Sequence, residues 1–166
     1  MNILYRKPTE KDYPYIIDIY NNIIDENKFT ADINHVDFNK KKQWFINECK
    51  YPYFIFVAKY NNIIIGYFYL SPWRSGRTAL IHTGEISFYL KKEYRSKGIG
   101  KKLISWAIEE AKKNGFKTLL AILLDINKRS KYLLKNHNFK VEAHLNNIAN
   151  LNGKVCGQYI MMLNIK

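Results

Sequence analysis

A short basic glycine segment, Arg95-Ser96-Lys97-Gly98-Ile99-Gly100, constrains this chain more than any other stretch. It follows an apolar, strand-like run, Glu85-Ile86-Ser87-Phe88-Tyr89-Leu90, and leads directly into a helical pattern from Lys101 to Lys113. A second apolar run, Leu119–Leu124, fits a buried parallel strand beyond that helix. A strand–helix–strand unit of this length demands a parallel pair with a crossover, so a purely antiparallel fold is excluded. The glycines let the backbone turn tightly, so that N–H groups point at an anion where the helix dipole adds partial positive charge. Arg95, Lys97 and Lys101 add full charges. The segment therefore predicts a phosphate-bearing ligand gripped largely by main chain. The dinucleotide fingerprint would need a third glycine at 103, which is leucine. The phosphate-loop pattern would need Gly-Lys-Ser/Thr, but Lys102 follows Lys101.

The rest of the chain supplies a mixed sheet. Ile3–Lys7 reads as a short strand. Thr9-Glu10-Lys11-Asp12 resembles a capping box that opens a helix with Ile16, Ile17, Ile19, Tyr20, Ile23 and Ile24 on one face. A loop through Phe29-Thr30-Ala31-Asp32 precedes a second helix, Asp37 to Cys49, with Trp44 and Phe45 inward. Tyr53–Tyr60 and Ile63–Leu70 form a hairpin about Asn61-Asn62, because asparagine tolerates positive φ. Ser71–Thr78 reads as a loop and Leu80–Leu90 as a longer strand. The helix Gly100–Asn114 stops at Gly115, Asn127–His137 is a short helix, and Val141–Ile148 and Gln158–Ile165 close the sheet. The order β-α-α-β-β-β-α-β-α-β-β predicts an α/β fold, a mixed β-sheet with helices on both faces, in a single domain spanning residues 1–166.

The bulk numbers bound the function classes. A chain of 166 residues with 47% hydrophobic content fits one domain with a real core. No apolar run approaches the roughly 20 residues that span a bilayer, and the polar first residues do not read as a signal peptide, so a cytoplasmic location is expected. Cys49 and Cys156 lack metal-ligand spacing and read as free thiols. His35, His82, His137 and His144 form no ligand pattern, so no metal is expected. The net charge of +13 allows nucleic-acid binding. However, the lysines are spread along the chain, Lys40-Lys41-Lys42 being the longest basic run, and most aromatics fall at core positions, which disfavours that partner.

Segment by segment, the chain resembles the GNAT N-acetyltransferases. Arg95-x-x-Gly98-x-Gly100 resembles their Arg/Gln-x-x-Gly-x-Gly/Ala loop, which grips the pyrophosphate of acetyl-CoA. Asn127-Lys-Arg-Ser130-Lys-Tyr-Leu133, ending at Phe139, resembles their Asn-x-x-Ser-x-x-Leu…Gly-Phe segment, with Asn138 in place of the glycine. Pro72-Trp73-Arg74, Arg77 and Thr83-Gly84-Glu85-Ile86-Ser87-Phe88-Tyr89-Leu90 resemble the substrate loop and active strand of the phosphinothricin and methionine sulfoximine acetyltransferase group. Ile19-Tyr20-Asn21 and Gln43-Trp44-Phe45 also sit where that group has similar residues.

The resemblance implies a GNAT-like sheet and an acetyl-CoA-dependent N-acetyltransferase acting on a small acidic amine, an amino acid or analogue, in a homodimer. It makes Glu85 the general base, because an ammonium must lose a proton before it attacks a thioester. It assigns coenzyme contacts to Phe88, Tyr89, Leu90, Arg95, Ser96, Lys97, Gly98, Ile99, Gly100, Lys101, Asn127 and Ser130, and acceptor contacts to Phe29, Thr30, Arg74, Arg77 and Thr83. The arginines can clamp a carboxylate or phosphinate. Leu134 occupies the position where many family members carry a tyrosine, and this group a histidine, near the coenzyme sulfur; leucine cannot donate a proton. Helical spacing turns Tyr132 and His137 away from it. A peptide or protein acceptor, and a domain that binds coenzyme without catalysis, remain alternative readings.

Overall fold

The structure, a computed structural model, describes residues 2–165. Seven strands form one mixed sheet, β1 Leu4–Arg6, β2 Phe54–Tyr60, β3 Ile63–Pro72, β4 Thr83–Leu90, β5 Thr118–Leu124, β6 Lys140–Leu151 and β7 Lys154–Asn164, in the order β1-β2-β3-β4-β5-β7-β6. Four α-helices cover it: α1 Tyr13–Asp25, α2 Phe38–Glu48, α3 Ile99–Lys113 and α4 Lys128–Lys135. The first two pack on one face through Ile16, Ile23, Phe45, Val57 and Tyr67. The other two pack on the opposite face through Phe56, Phe68, Leu103, Ile104, Leu134 and Phe139. The mixed α/β architecture is the one the element order implies.

Local chemistry sets the element ends. Asp12 accepts from the Thr9 N–H at 2.6 Å and takes both Arg6 guanidinium nitrogens, at 2.6 and 2.8 Å. This clasp ties the end of β1 to a 3-10 turn, Glu10–Asp12, that runs into α1. Asn61 and Asn62 both take positive φ, 46° and 62°, which makes the tight β2–β3 turn. Asn138, where a glycine is usual, sits at φ 65°. Two boundaries differ from the sequence pattern. Residues 80–82 are not strand: Thr78–Leu80 is a 3-10 turn, and β4 starts at Thr83, where it first meets β5. The closing strands are longer than expected, because Asn152-Gly153 turns them into one continuous hairpin.

The decisive feature is the β4–β5 pair. It is parallel and joined only at Thr83–Thr118, Gly84–Leu119 and Glu85–Leu120. Beyond Glu85 the strands part, although β4 stays paired with β3 to Leu90 and β5 with β7 to Leu124. The sheet therefore splits like a wedge whose apex is Glu85.

Candidate active site

The split leaves a cavity of about 300 Å³. Its walls are Ile86–Leu90 of β4, Ala121–Leu123 of β5, the 95–101 loop and the first turns of α4. Main-chain groups on both inner edges have no strand partner. The Lys91 N–H bonds to the Ile65 carbonyl, so by antiparallel alternation the N–H and C=O groups of Phe88 and the N–H of Leu90 face the opening, the Leu90 carbonyl being taken by Arg95 Nε. Buried backbone groups seek partners, and a peptide-like arm laid in the split would supply them as an added strand does.

At the mouth, Gly98 caps α3 in the left-handed region, φ 74°, with open space where a Cβ would stand. Gly100 faces the cavity floor; a Cβ there would press to 3.0 Å from Leu133. The residues thus fit an amide-containing arm leading to phosphates at a helix N-terminus.

Of the sequence-predicted coenzyme residues, Phe88, Tyr89, Leu90, Arg95, Ser96, Gly98, Gly100, Lys101, Asn127 and Ser130 line this cavity. Lys97 and Ile99 do not; Ile99 is turned into the core under α3. Arg95 reaches the wall, but its guanidinium is committed elsewhere. It meets Glu26 at 2.7 and 2.9 Å, donates Nε to the Leu90 carbonyl at 2.9 Å, and lies 4.9 Å over the Phe29 ring. Burial works against the Glu26 carboxylate, yet the Arg95 hydrogen bonds and charge outweigh it and hold its pKa below the usual value. Arg95 is thus a tie between the coenzyme loop and α1. Asn127 is buried and accepts from the Ser130 N–H at 3.1 Å, capping α4.

Residues that the sequence reading passed over also reach the cavity. Arg129 crosses its mouth and donates to Ser96 Oγ at 2.7 Å. Tyr132 lines it too, although helical spacing was expected to turn that side chain away from Leu134; the cavity curves around the outer face of α4, and Tyr132 is 69% exposed there. Leu134 lines it from the core side. His137 does point away, binding the Lys101 carbonyl and Ser105 Oγ, each at 3.1 Å, and so pins α4 to α3.

The other face of β4 carries Glu85 and Tyr89, on the side of α1 and α2. Glu85 is half-buried at the wedge apex, outside the cavity wall, and desolvation raises its pKa. Around it stands a tyrosine cluster. Tyr20 donates to Asp32 at 2.6 Å, shares a 2.9 Å hydrogen bond with Thr30, and packs edge-on to Tyr89 at 5.1 Å. Burial pushes the Tyr89 phenol up to about 12, so it stays neutral. Of the expected acceptor residues, Phe29 borders the cavity, and Thr30 joins the tyrosine cluster. Thr83 is half-buried at the start of β4, where its carbonyl accepts from the Trp73 N–H at 3.5 Å. Arg74 and Arg77 are exposed in a turn beyond Pro72, the residue after Ser71, which pairs with Glu85; Arg74 has φ 61°, and its carbonyl accepts from the Arg77 N–H at 3.3 Å. No three His, Cys, Asp or Glu side chains gather as a metal site among the described residues.

The profile of the acetyltransferase (GNAT) family matches residues 16–139, most of the chain and all of this site. The chain belongs to that family. It is an acetyl-CoA-dependent N-acetyltransferase with the GNAT fold. Among similar proteins, the L-amino acid N-acyltransferase MnaT of Escherichia coli is 29% identical over 157 residues, covering 93% of this chain and 89% of that one. The L-methionine sulfoximine/L-methionine sulfone acetyltransferase of Salmonella typhimurium is 28% identical over 134 residues, 81% of this chain and 78% of that one. A phosphinothricin acetyltransferase from Sinorhizobium meliloti, solved in complex with acetyl-CoA, superposes with a TM-score of 0.93 at 25% identity, covering 99% of this chain and 89% of that one. In this GNAT chain no helix among the described residues is long and apolar enough to cross a membrane.

Proposed function

We propose that this enzyme acetylates the primary amine of a small acidic acceptor, an amino acid or a phosphinothricin-like analogue, with Glu85 as general base. One observation carries the reading: the only carboxylate at the wedge apex among the described residues of β4 and β5 is Glu85, where the cleft for the thioester arm ends. The names of the relatives support the acceptor class.

The chemistry is transfer of an acetyl group from a thioester to an amine. The amine nitrogen attacks the carbonyl carbon, and its proton passes to the Glu85 carboxylate, whose raised pKa makes it the better acceptor near neutral pH. One backbone N–H on the open edge, that of Phe88 or Leu90, would donate to the negative charge that develops on the carbonyl oxygen. The cleft wall and the Asn127 cap hold the arm in register, so positioning supplies much of the rate. Leu134 supplies no proton to the departing thiolate; the hydroxyls bordering the cavity belong to Ser96, Ser130, Ser87 and the tyrosines Tyr89 and Tyr132. Arg74 and Arg77 would clamp the acidic end of the acceptor, with Phe29, Thr30 and Thr83 bordering it. A homodimer accompanies this reading; the free edge strand β6 exposes Val141, Leu145 and Ile148, which a second copy would cover.

The test is thiol release from acetyl-CoA against a panel of amino acids, phosphinothricin, methionine sulfoximine and short peptides, with Arg74→Ala and Arg77→Ala in parallel. Turnover of an acidic amino acid analogue, with KM raised in the arginine variants, supports the reading. Turnover of peptides alone overturns the acceptor assignment.

A further inference from the structure

The positive charges around the cavity mouth are not equivalent. Arg95 is neutralised by Glu26 in a close two-pronged pair. Arg129, on the opposite jaw, has no carboxylate within ion-pair distance among the described residues, and neither do Lys97 and Lys101. Its one hydrogen bond goes to the neutral Ser96 hydroxyl at 2.7 Å. A guanidinium has five N–H donors in a planar fork suited to phosphate oxygens, so a serine hydroxyl uses only a fraction of its capacity.

The bridge also spans the cleft. Arg129 stands on the first turn of α4, which Asn127 caps and His137 pins to α3. Ser96 stands on the loop that follows β4 and holds a positive φ of 61°. One side chain thus joins the two jaws across the opening through which the phosphate-bearing half of a coenzyme must extend.

We propose that Arg129 is a specificity-determining residue for the donor: it exchanges Ser96 Oγ for a phosphate oxygen of the bound coenzyme, closes the two jaws over it, and so selects a phosphorylated thioester over a bare pantetheine thioester. This rests on the reading of the cleft as an acetyl-CoA site. The ligand chemistry is a phosphate with at least two free oxygens, which the coenzyme offers both in its diphosphate and in its 3′-phosphate.

The experiment is calorimetric titration of the full chain and of Arg129→Ala and Arg129→Lys with CoA and 3′-dephospho-CoA, beside turnover of S-acetyl-pantetheine. Losing a charge-assisted contact raises the CoA Kd of the alanine variant by about 10- to 100-fold. Lysine restores part of that, and kcat/KM for S-acetyl-pantetheine stays within about twofold of wild type. An equal loss with 3′-dephospho-CoA places the contact on the diphosphate; a loss confined to CoA places it on the 3′-phosphate. Because Arg129 is exposed, an unchanged melting curve is expected and serves as the folding control. A CoA Kd unchanged in the alanine variant overturns the proposal, as does an equal loss with S-acetyl-pantetheine. Absence of CoA binding by the wild type would instead overturn the reading of the cleft itself.

Discussion

The two faces of β4 are built on opposite principles. Toward α3, Ile86, Phe88 and Leu90 form an apolar wall, and the polar groups this face of the strand offers the cleft are main chain; Ser87 and Tyr89, on the other face, border the cleft at its edge. Toward α1 and α2, Glu85, Ser87 and Tyr89 meet Tyr20, Tyr67 and Tyr69, a face of hydroxyls and one carboxylate inside a hydrophobic shell. The first face can recognise a common amide-rich arm without side-chain chemistry. The second can be retuned residue by residue. On the proposed reading, strand alternation lets one element serve both tasks, holding the donor on one side while presenting Glu85 as base on the other.

If that division is right, Glu85→Gln gives the largest effect. Turnover falls by about 10²- to 10⁴-fold while CoA affinity stays within about twofold, because the substitution touches only the second face. Burial raises the Glu85 pKa, so wild-type rate falls as pH drops through a midpoint above the ordinary glutamate value of about 4.3. That acid limb disappears in the glutamine variant. A variant that keeps the wild-type pH–rate profile would break the comparison.

Gly66→Ala strikes the wall from behind. A Cβ there would stand 2.5 Å from both the Tyr89 carbonyl oxygen and Leu90 Cδ2, so β4 must shift where the cleft edge is set. The expected cost is about 1–3 kcal/mol in a urea melt, with weaker CoA binding. Loss of stability with unchanged CoA affinity would mean that the edge geometry does not set coenzyme binding.

Asp12→Asn loosens α1, and with it the second face, by about 1–2 kcal/mol near neutral pH, discounted because Arg6 is partly exposed. The Arg6 hydrogen bonds hold the Asp12 pKa well below the usual carboxylate range against its burial. Its contribution is therefore full above the unfolded value near 4 and lost as pH falls further. The asparagine variant should lose less stability than wild type between pH 5 and pH 2, read from melts across that range.

The smallest expected effect is Tyr20→Phe. It removes the donor to Asp32, and the acceptor KM rises by about five- to tenfold, roughly 1 kcal/mol, with the CoA Kd unmoved. A shift in both constants would show that the Phe29–Asp32 loop couples the faces through Arg95 and Glu26.

The first face was largely legible in the chain. A strand, a glycine turn and a helix start are local, so Glu85–Lys113 displays the parallel crossover and the anion-binding loop within one stretch. Asn127 and Ser130 were legible for the same reason, since a capping pair is three residues apart. The second face was only partly legible. Tyr20 reads as a core residue of α1 and Tyr89 as a coenzyme contact, and nothing in their spacing says that α1 brings one hydroxyl onto Asp32 beside the other ring. Arg95 and Arg129 show the limit most sharply. Arg95 reads as a coenzyme contact and Arg129 as a helix charge, yet the first is consumed by Glu26, far away in sequence, and the second spans the cleft mouth.

By itself, then, the sequence determined the βαβ crossover, the glycine loop, the helix caps and the family, because each rests on hydrogen-bond geometry between near neighbours. Only the tertiary structure decided that β4 and β5 part at Glu85, which arginine keeps its charge free, and which tyrosines gather near Glu85. Those outcomes depend on how helices pack on a twisted sheet, and packing pairs residues by shape and charge across the chain rather than along it.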